Sequence, residues 1–186
     1  MDYAVFLTRF GWMAIAGSDR GISAVALPRR EMVAALESLG AKAGPLASDL
    51  REVATSRFGT LPDRIHSYLA GEIVDFPDLI DRRTWTPFRA RVWDATRCIP
   101  YGQTRSYGWA AAAAGQPRGC RAAGQALHHN PVPILIPCHR VLLSSGYSIG
   151  GEASQILERG CNDFIQKPFN MRQLSEKMRA ILDAPR

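Results

Sequence analysis

Residues 134–141 read Ile-Leu-Ile-Pro-Cys-His-Arg-Val, an apolar run that ends at a proline and is followed at once by a cysteine and a histidine. The run predicts a short buried strand that presents Cys138 at its end with His139 beside it. A thiolate is a strong nucleophile, and a neighbouring base or positive charge increases its population at neutral pH. The alternative, from these eight residues alone, is that Cys138 is a small buried hydrophobic residue.

The composition predicts a globular protein of one domain or two small ones. The chain has 186 residues, of which 46% are hydrophobic and 22% charged. No apolar run approaches the roughly 20 residues of a membrane span, and the N-terminus lacks the pattern of a signal peptide. The four cysteines show no paired spacing, which favours free thiols in a reducing compartment. We therefore expect a cytoplasmic, non-secreted protein without a metal site.

The net charge of +6 is concentrated in one part of the chain. Residues 88–141 contain seven arginines and a single acidic residue, Asp94, whereas the segments before and after are close to neutral. A concentrated positive segment is typical of proteins that bind nucleic acid. An ordinary solvated face is the alternative.

The first 80 residues predict a small α+β domain with a structural role. Apolar runs predict strands over 4–8, 12–16 and 22–27, and helical patterns cover 31–39 with Gly40 as its cap, 48–57 and 62–69. Nothing in this region indicates chemistry. Residues 77–84 are predicted to be a linker.

The region after the linker predicts three helices, two of them in a helix-turn-helix arrangement. Thr86 and Pro87 form a strong helix start, and Ser106 is a second capping residue. A short helix through the alanine run at 110–114 is followed by a tight turn and a helix over 118–129. The small residues of this last helix allow close approach, either to another helix or to a DNA groove. Its arginines, Arg118 and Arg121, favour DNA.

Residues 86–141 resemble the catalytic domain of the O6-alkylguanine-DNA alkyltransferases, also called methylated-DNA–protein-cysteine methyltransferases. The matching pieces, in order, are Pro87-Phe88, Val92-Trp93, Ile99-Pro100-Tyr101-Gly102, Ser106-Tyr107, Arg121-Ala122-Ala123-Gly124 and the run from Asn130 to Val141. The resemblance implies an α+β fold. It comprises a ribonuclease-H-like domain over residues 1–80 and a winged-helix-like, helix-turn-helix catalytic domain over residues 81–141.

The resemblance also implies a function and a set of site residues. The family transfers an alkyl group once, without a cofactor or obligate protein partner, from O6-alkylguanine in double-stranded DNA to a cysteine. Cys138 matches the acceptor, His139 the base that activates it through a water, and Asn130 the residue that holds the turn. The implied substrate contacts are Tyr107, whose hydroxyl donates to the leaving guanine, together with Val141, Tyr147 and Ser148. Arg121 matches the residue that fills the space left by a flipped base, and the other implied DNA contacts are Arg118, Ala122, Ala123, Gly124 and Ser144.

The family pattern breaks after Val141, where a helix with a histidine-orienting glutamate is expected. Glu152 and Glu158 are possible replacements. Residues 142–186 instead resemble the end of a response-regulator receiver domain, with strand-like segments at 141–148 and 161–169 and an amphipathic helix over 170–183. Because the receiver's phosphoacceptor is missing, a signalling role is not expected and Lys167 is interpreted as a relic. The alternative function is a weakly active or non-catalytic protein that binds alkylated DNA.

Overall fold

The computed structural model describes residues 1–142, 144–145 and 165–166, and the fold is mixed α+β. The N-terminal half contains β1 (Asp2–Thr8), β2 (Gly11–Ser18), β3 (Gly21–Arg29), α1 (Met32–Ala43), β4 (Arg51–Glu52) and α2 (Leu61–Leu69). The rest contains α3 (Pro87–Arg97), β5 (Arg105–Ser106), α4 (Tyr107–Ala113), α5 (Cys120–His128), β6 (Val141–Leu142), β7 (Ser144–Ser145) and β8 (Ile165–Gln166). Within the described residues, no helix has the length and apolar character needed to cross a bilayer.

The N-terminal sheet has the strand order β3-β2-β1-β4 and two differently packed faces. β1, β2 and β3 are antiparallel neighbours, and β4 pairs in parallel with the start of β1. Because side chains alternate along a strand, Met13 and Ile15 of β2 enter the main core, whereas Ala14 and Ala16 face α1. The alanines let α1 lie close to the sheet, so its last turn has a defined position.

The three predicted strands and the helix over 62–69 are confirmed with small shifts of their ends, but two other predictions in this half are wrong. α1 continues through Gly40 to Ala43, and the helix ends where Gly44 adopts a φ of 55°. No α-helix forms over 48–57, where β4 lies between two short 3-10 turns. Pairing with β1 draws this segment into the sheet, so tertiary contacts override the local helical pattern.

The segment predicted as a linker is held firmly against the hairpin of β2 and β3. The backbone N–H of Ile22 donates to the Leu79 carbonyl at 2.8 Å, and the N–H of Asp81 donates to the Ile22 carbonyl at 2.9 Å. Gly21 makes this approach possible, because a Cβ at that position would lie 2.4 Å from the Leu79 carbonyl oxygen. The linker therefore acts as a paired strap between the two halves of the chain.

The capping predictions for the helices of the second half are confirmed. The Thr86 hydroxyl accepts from the N–H of Arg89 at the start of α3, and the Ser106 hydroxyl accepts from the N–H of Trp109 at the start of α4. The indole N–H of Trp93 donates to the Ala126 carbonyl at 2.9 Å, which joins α3 to α5. One buried cluster contains residues from the N-terminal sheet and from all three helices, so both predicted domains share a core.

Two short parallel pairings follow the cysteine-containing turn. β5 pairs with β6, with Arg105 opposite Val141, and β7 pairs with β8, with Ser144 opposite Ile165. Both β7 and β8 fall inside segments that the sequence predicts to be strands. The predictions for Tyr147, Ser148, Glu152, Glu158, Lys167 and the helix over 170–183 lie outside the described residues.

Candidate active site

The segment before Cys138 is a tight turn clamped by the side chain of Asn130, and the predicted strand over 134–136 is wrong. The Asn130 amide N–H donates to the Ile136 carbonyl at 2.8 Å, and its oxygen accepts from the Val132 N–H at 3.0 Å. A further bond from the Ile136 N–H to the Val132 carbonyl, at 3.0 Å, closes the turn. With only 3% of its surface exposed, Asn130 satisfies backbone groups that water does not reach.

Ile134 lies at the centre of this turn in a left-handed conformation, with a φ of 76°. This conformation is costly for a β-branched residue and persists only where the surroundings impose it. The Ile134 side chain is buried, and the bonds made by Asn130 fix the backbone on both sides of it. The turn that leads to the cysteine is therefore set by the fold and does not relax locally.

Cys138 begins a single 3-10 turn that ends at Arg140, and its N–H donates to the Ile136 carbonyl at 2.8 Å. The thiol is half-buried and packs against the main core. Among the described cysteines, Cys98 and Cys120 are exposed. Within the described residues, no direct hydrogen bond joins the Cys138 thiol to the His139 ring.

The imidazole of His139 contacts a side chain from the N-terminal half. Its Nε2 lies 2.9 Å from the hydroxyl of Tyr68, on α2. Although the residue is exposed overall, burial of the imidazole, followed by the charge of Arg140, lowers the pKa of His139 below its usual range. His139 is consequently neutral at pH 7, as a base must be.

Lys42, in the last turn of α1, also reaches the cysteine turn. Its ammonium donates to the Asn130 carbonyl at 3.0 Å. Burial lowers the pKa of Lys42, the nearby Cys138 opposes this shift, and Arg29 adds to it. The Val25 N–H of β3 donates to the Pro131 carbonyl at 2.9 Å, next along the same turn.

Sequence reasoning missed the parts played by Tyr68 and Lys42, and expected no chemistry from residues 1–80. Tyr68 is 71 residues from His139, and Lys42 is 88 residues from Asn130. No local motif marks either residue. The strong amphipathic pattern of α2 places Tyr68 beside the core, but only the folded chain shows which group it meets.

Tyr107 is the first residue of α4 and is half-buried against the same core as Cys138. Its ring lies beside Gly124 of α5, where an added Cβ would be 3.3 Å from the ring. The pairing of β5 with β6 brings the start of α4 next to Val141. Val141 as a whole is buried in the main core, so the structure places this predicted substrate contact in the packing beneath the site.

The predicted DNA-contacting residues differ in exposure, and one of them, Gly124, is half-buried beside the Tyr107 ring. Arg118, Arg121 and Ala122 are exposed, and they lie just before or in the first turn of α5. Ala123 differs, because its side chain is fully buried in the main core and provides packing instead of a surface for DNA. The side chain of Ser144, on β7, lies outside the described residues.

Comparison with known proteins places the chain in a family. The sequence model described as "6-O-methylguanine DNA methyltransferase, DNA binding domain" matches residues 87–160. A crystal structure of Mycobacterium tuberculosis OGT in complex with DNA is 30% identical, with a TM-score of 0.62, and the alignment covers 77% of this chain and 79% of that one. The chain belongs to the methylated-DNA–protein-cysteine methyltransferases.

Other members of this methyltransferase family match over different lengths. The methylated-DNA–protein-cysteine methyltransferase of M. tuberculosis is 46% identical over 93 residues, which span 50% of this chain and 56% of that relative. The O6-methylguanine-DNA methyltransferase of Pyrococcus kodakaraensis is 26% identical, with a TM-score of 0.57, over 84% of this chain and 97% of that one. The family match extends to residue 160, so the family resemblance continues beyond Val141, where the local motifs predicted its end.

Proposed function

We propose that this chain repairs DNA by a single transfer of an alkyl group, such as methyl, from O6-alkylguanine to Cys138. The observation that carries the proposal is the half-buried Cys138 thiol on a turn clamped by Asn130, next to a neutral imidazole. Family membership and the exposed arginines near the start of α5 support it, as does the DNA bound in the M. tuberculosis structure. Double-stranded DNA is the partner, and the reaction needs no cofactor.

The proposed reaction exchanges one covalent bond for another. Cys138 Sγ attacks the alkyl carbon as the thiolate, an S–C bond forms, and the C–O6 bond breaks with its electron pair left on guanine. The thiol proton passes to His139 through a water. The Tyr107 hydroxyl donates a hydrogen bond to the guanine as negative charge develops there, and the guanine takes up one proton from water, which balances the proton lost by the thiol. A thioether has no ready leaving group, so each molecule acts once.

We also propose a more detailed assignment of roles to the two halves of the fold. Residues 1–80 form a ribonuclease-H-like domain, and residues 81–141 form a winged-helix-like domain in which α4 and α5 are the helix-turn-helix. Arg118, Arg121 and Ala122 face the duplex, and Arg121 enters the space of the flipped base. Gly124 keeps the Tyr107 ring close to α5.

The decisive experiment measures the intact mass of the protein before and after incubation with duplex DNA containing O6-methylguanine. We expect a gain of one methylene, about 14 mass units, located on Cys138. Cys138→Ser should gain no mass and keep its affinity for DNA, because serine is not appreciably ionised at neutral pH. Cys98→Ser and Cys120→Ser, which alter exposed thiols, are matched controls and should react like the wild type.

Two results would contradict the proposal. Mass gain in Cys138→Ser would move the acceptor to another residue. Tight binding of alkylated DNA by the wild type without any gain of mass would favour the alternative, a protein that recognises the lesion without repairing it.

A further inference from the structure

The His139 ring has a single protein hydrogen-bond partner among the described residues, and it is a hydroxyl. The Tyr68 Oη lies 2.9 Å from His139 Nε2, with the two ring centroids 6.3 Å apart and the ring planes inclined at 53°. The partner comes from α2, in the other half of the chain. We infer that Tyr68 is a positioning residue that orients His139 for the proposed transfer.

Tyr68 is itself held in place, as an orienting group must be. Its ring makes an edge-to-face contact with Phe76, with centroids 5.7 Å apart, and packs against the main core. Phe76 immediately precedes the strap between the halves, and Arg97 of α3 donates to its carbonyl at 2.7 Å. The hydroxyl therefore projects from a fixed ring towards His139.

The protonation states make this contact selective for one form of the imidazole. Burial raises the pKa of Tyr68, so the side chain is a neutral hydroxyl at pH 7. His139 is neutral as well, and a neutral imidazole carries its proton on one nitrogen only. When Nε2–H donates to the Tyr68 oxygen, the lone pair is left on Nδ1, the nitrogen free to act as a base.

This direction of donation also suits the step that follows. After Nδ1 takes up a proton, both ring nitrogens carry hydrogens and Nε2 remains a donor. The Tyr68 oxygen can accept throughout, whereas a hydroxyl that donated to Nε2 would have to reverse. The bond is thus available before and after proton transfer without any rotation of the ring.

The inference rests on the proposed function, and its test separates the two. Long-range 1H–15N correlation spectra of the full-length protein report which nitrogen of His139 carries the proton. We expect the Nε2–H form in the wild type and a mixture in Tyr68→Phe, which keeps the ring contacts and loses only the oxygen. Transfer from methylated DNA should be about three- to tenfold slower in Tyr68→Phe, as expected for one neutral hydrogen bond.

Three controls make the result specific. Tyr3→Phe removes a hydroxyl that bonds to Glu52 on the N-terminal sheet, and it should change neither the spectrum nor the rate. Glu152→Gln and Glu158→Gln should keep the Nε2–H form. The urea midpoint and the DNA affinity of Tyr68→Phe should match those of the wild type, since a merely structural role would alter them first.

The possible results distinguish failure of this inference from failure of the proposed function. A wild-type protein in the Nδ1–H form overturns the inference, as does a Tyr68→Phe variant that transfers at the wild-type rate, while the proposed function stands in both cases. Loss of the Nε2–H form in Glu152→Gln or Glu158→Gln would assign the orienting role to a carboxylate. A wild type that never gains mass overturns the proposed function and the role of Tyr68 together.

Discussion

Asn130 shows how one buried amide can determine the shape of a reactive turn. Its oxygen accepts from the buried Val132 N–H, and its amide N–H gives the Ile136 carbonyl a second donor beside the Cys138 N–H. Together they hold Ile134 in a conformation it would not adopt alone. The geometry at Cys138 therefore depends on a side chain eight positions earlier.

Replacing Asn130 with alanine should destabilise the protein and abolish transfer. The buried Val132 N–H loses its partner and the Ile136 carbonyl keeps only its bond from the Cys138 N–H, which corresponds to a loss of about 2–4 kcal/mol in the free energy of unfolding. Urea denaturation gives the stability, and the mass assay gives the transfer.

Thr96→Val is the matched control for Asn130→Ala. Thr96 is fully buried in α3 and its hydroxyl bonds to the Val92 carbonyl, away from the turn. This variant should lose about 1 kcal/mol and keep full activity. An Asn130→Ala protein with wild-type stability and rate would show that the turn does not need its clamp.

At the scale of elements, the contact between α4 and α5 depends on a glycine. Gly124 leaves space for the Tyr107 ring, which an added Cβ would approach to 3.3 Å. Real Cβ atoms are rarely that close to a neighbour, so the ring would have to shift by a few tenths of an ångström. Small residues in α5 thus position the Tyr107 side chain on α4.

Gly124→Ala should slow transfer more than it changes stability. Alanine favours a helix by about 1 kcal/mol over glycine, and the displaced ring offsets part of this gain. The Tyr107 hydroxyl, however, moves away from the proposed leaving group. Rates measured with methylated DNA, compared with urea midpoints, separate the two effects.

Gly40→Ala is the matching control in another helix. A Cβ at Gly40 of α1 would meet nothing within 4 Å. This variant should gain about 1 kcal/mol in stability and react at the wild-type rate. If Gly124→Ala did the same, Tyr107 would not need its present position.

Local sequence patterns predicted helices and strands correctly where interactions between neighbouring residues determine the structure. The caps at Thr86 and Ser106 were predictable because the capping hydroxyl is only three residues from the N–H it accepts from. The actual structure of residues 48–57, a short strand between two 3-10 turns, was not predictable locally, because pairing with β1 decides it. The apolar run before Pro137 has the composition of a strand, and only the clamp from Asn130 makes it a turn.

At the scale of the whole molecule, the candidate site was predictable in its reactive pair but not in its surroundings. Cys138 and His139 are adjacent in the sequence, and the resemblance supplied Asn130 and Tyr107. The partners from the N-terminal half, Tyr68 and Lys42, approach across 71 and 88 residues. Contacts between residues so far apart in the sequence depend on how the two halves pack, and the hydrophobic pattern of the sequence does not predict that packing.

The uneven charge of the chain predicts that DNA binding weakens steeply with salt. The surplus of arginines lies in residues 88–141, and Arg118 and Arg121 are exposed near the start of α5. Roughly three to six phosphate contacts would give a slope of about −3 to −5 in log affinity against log salt concentration. Fluorescence anisotropy with labelled duplex DNA measures it.

Substitution of single arginines tests where that charge acts. Arg118→Ala should reduce the slope by about one unit. Arg51→Ala, which removes an exposed arginine paired with Asp2 on the N-terminal sheet, should leave it unchanged. A flat salt response of the wild type would remove the electrostatic argument for DNA as the partner.

The site is built from both halves of the chain. Val25, Lys42 and Tyr68 of the N-terminal half bond to residues between Asn130 and His139. The stretch over 71–75 that joins these residues to the rest of the chain is largely exposed. A chain divided there would consist of two fragments, one with the thiol and one with the groups that brace its turn. Recovery of alkyl transfer on mixing would then report how well the fragments reassemble, which makes the fold a natural candidate for complementation.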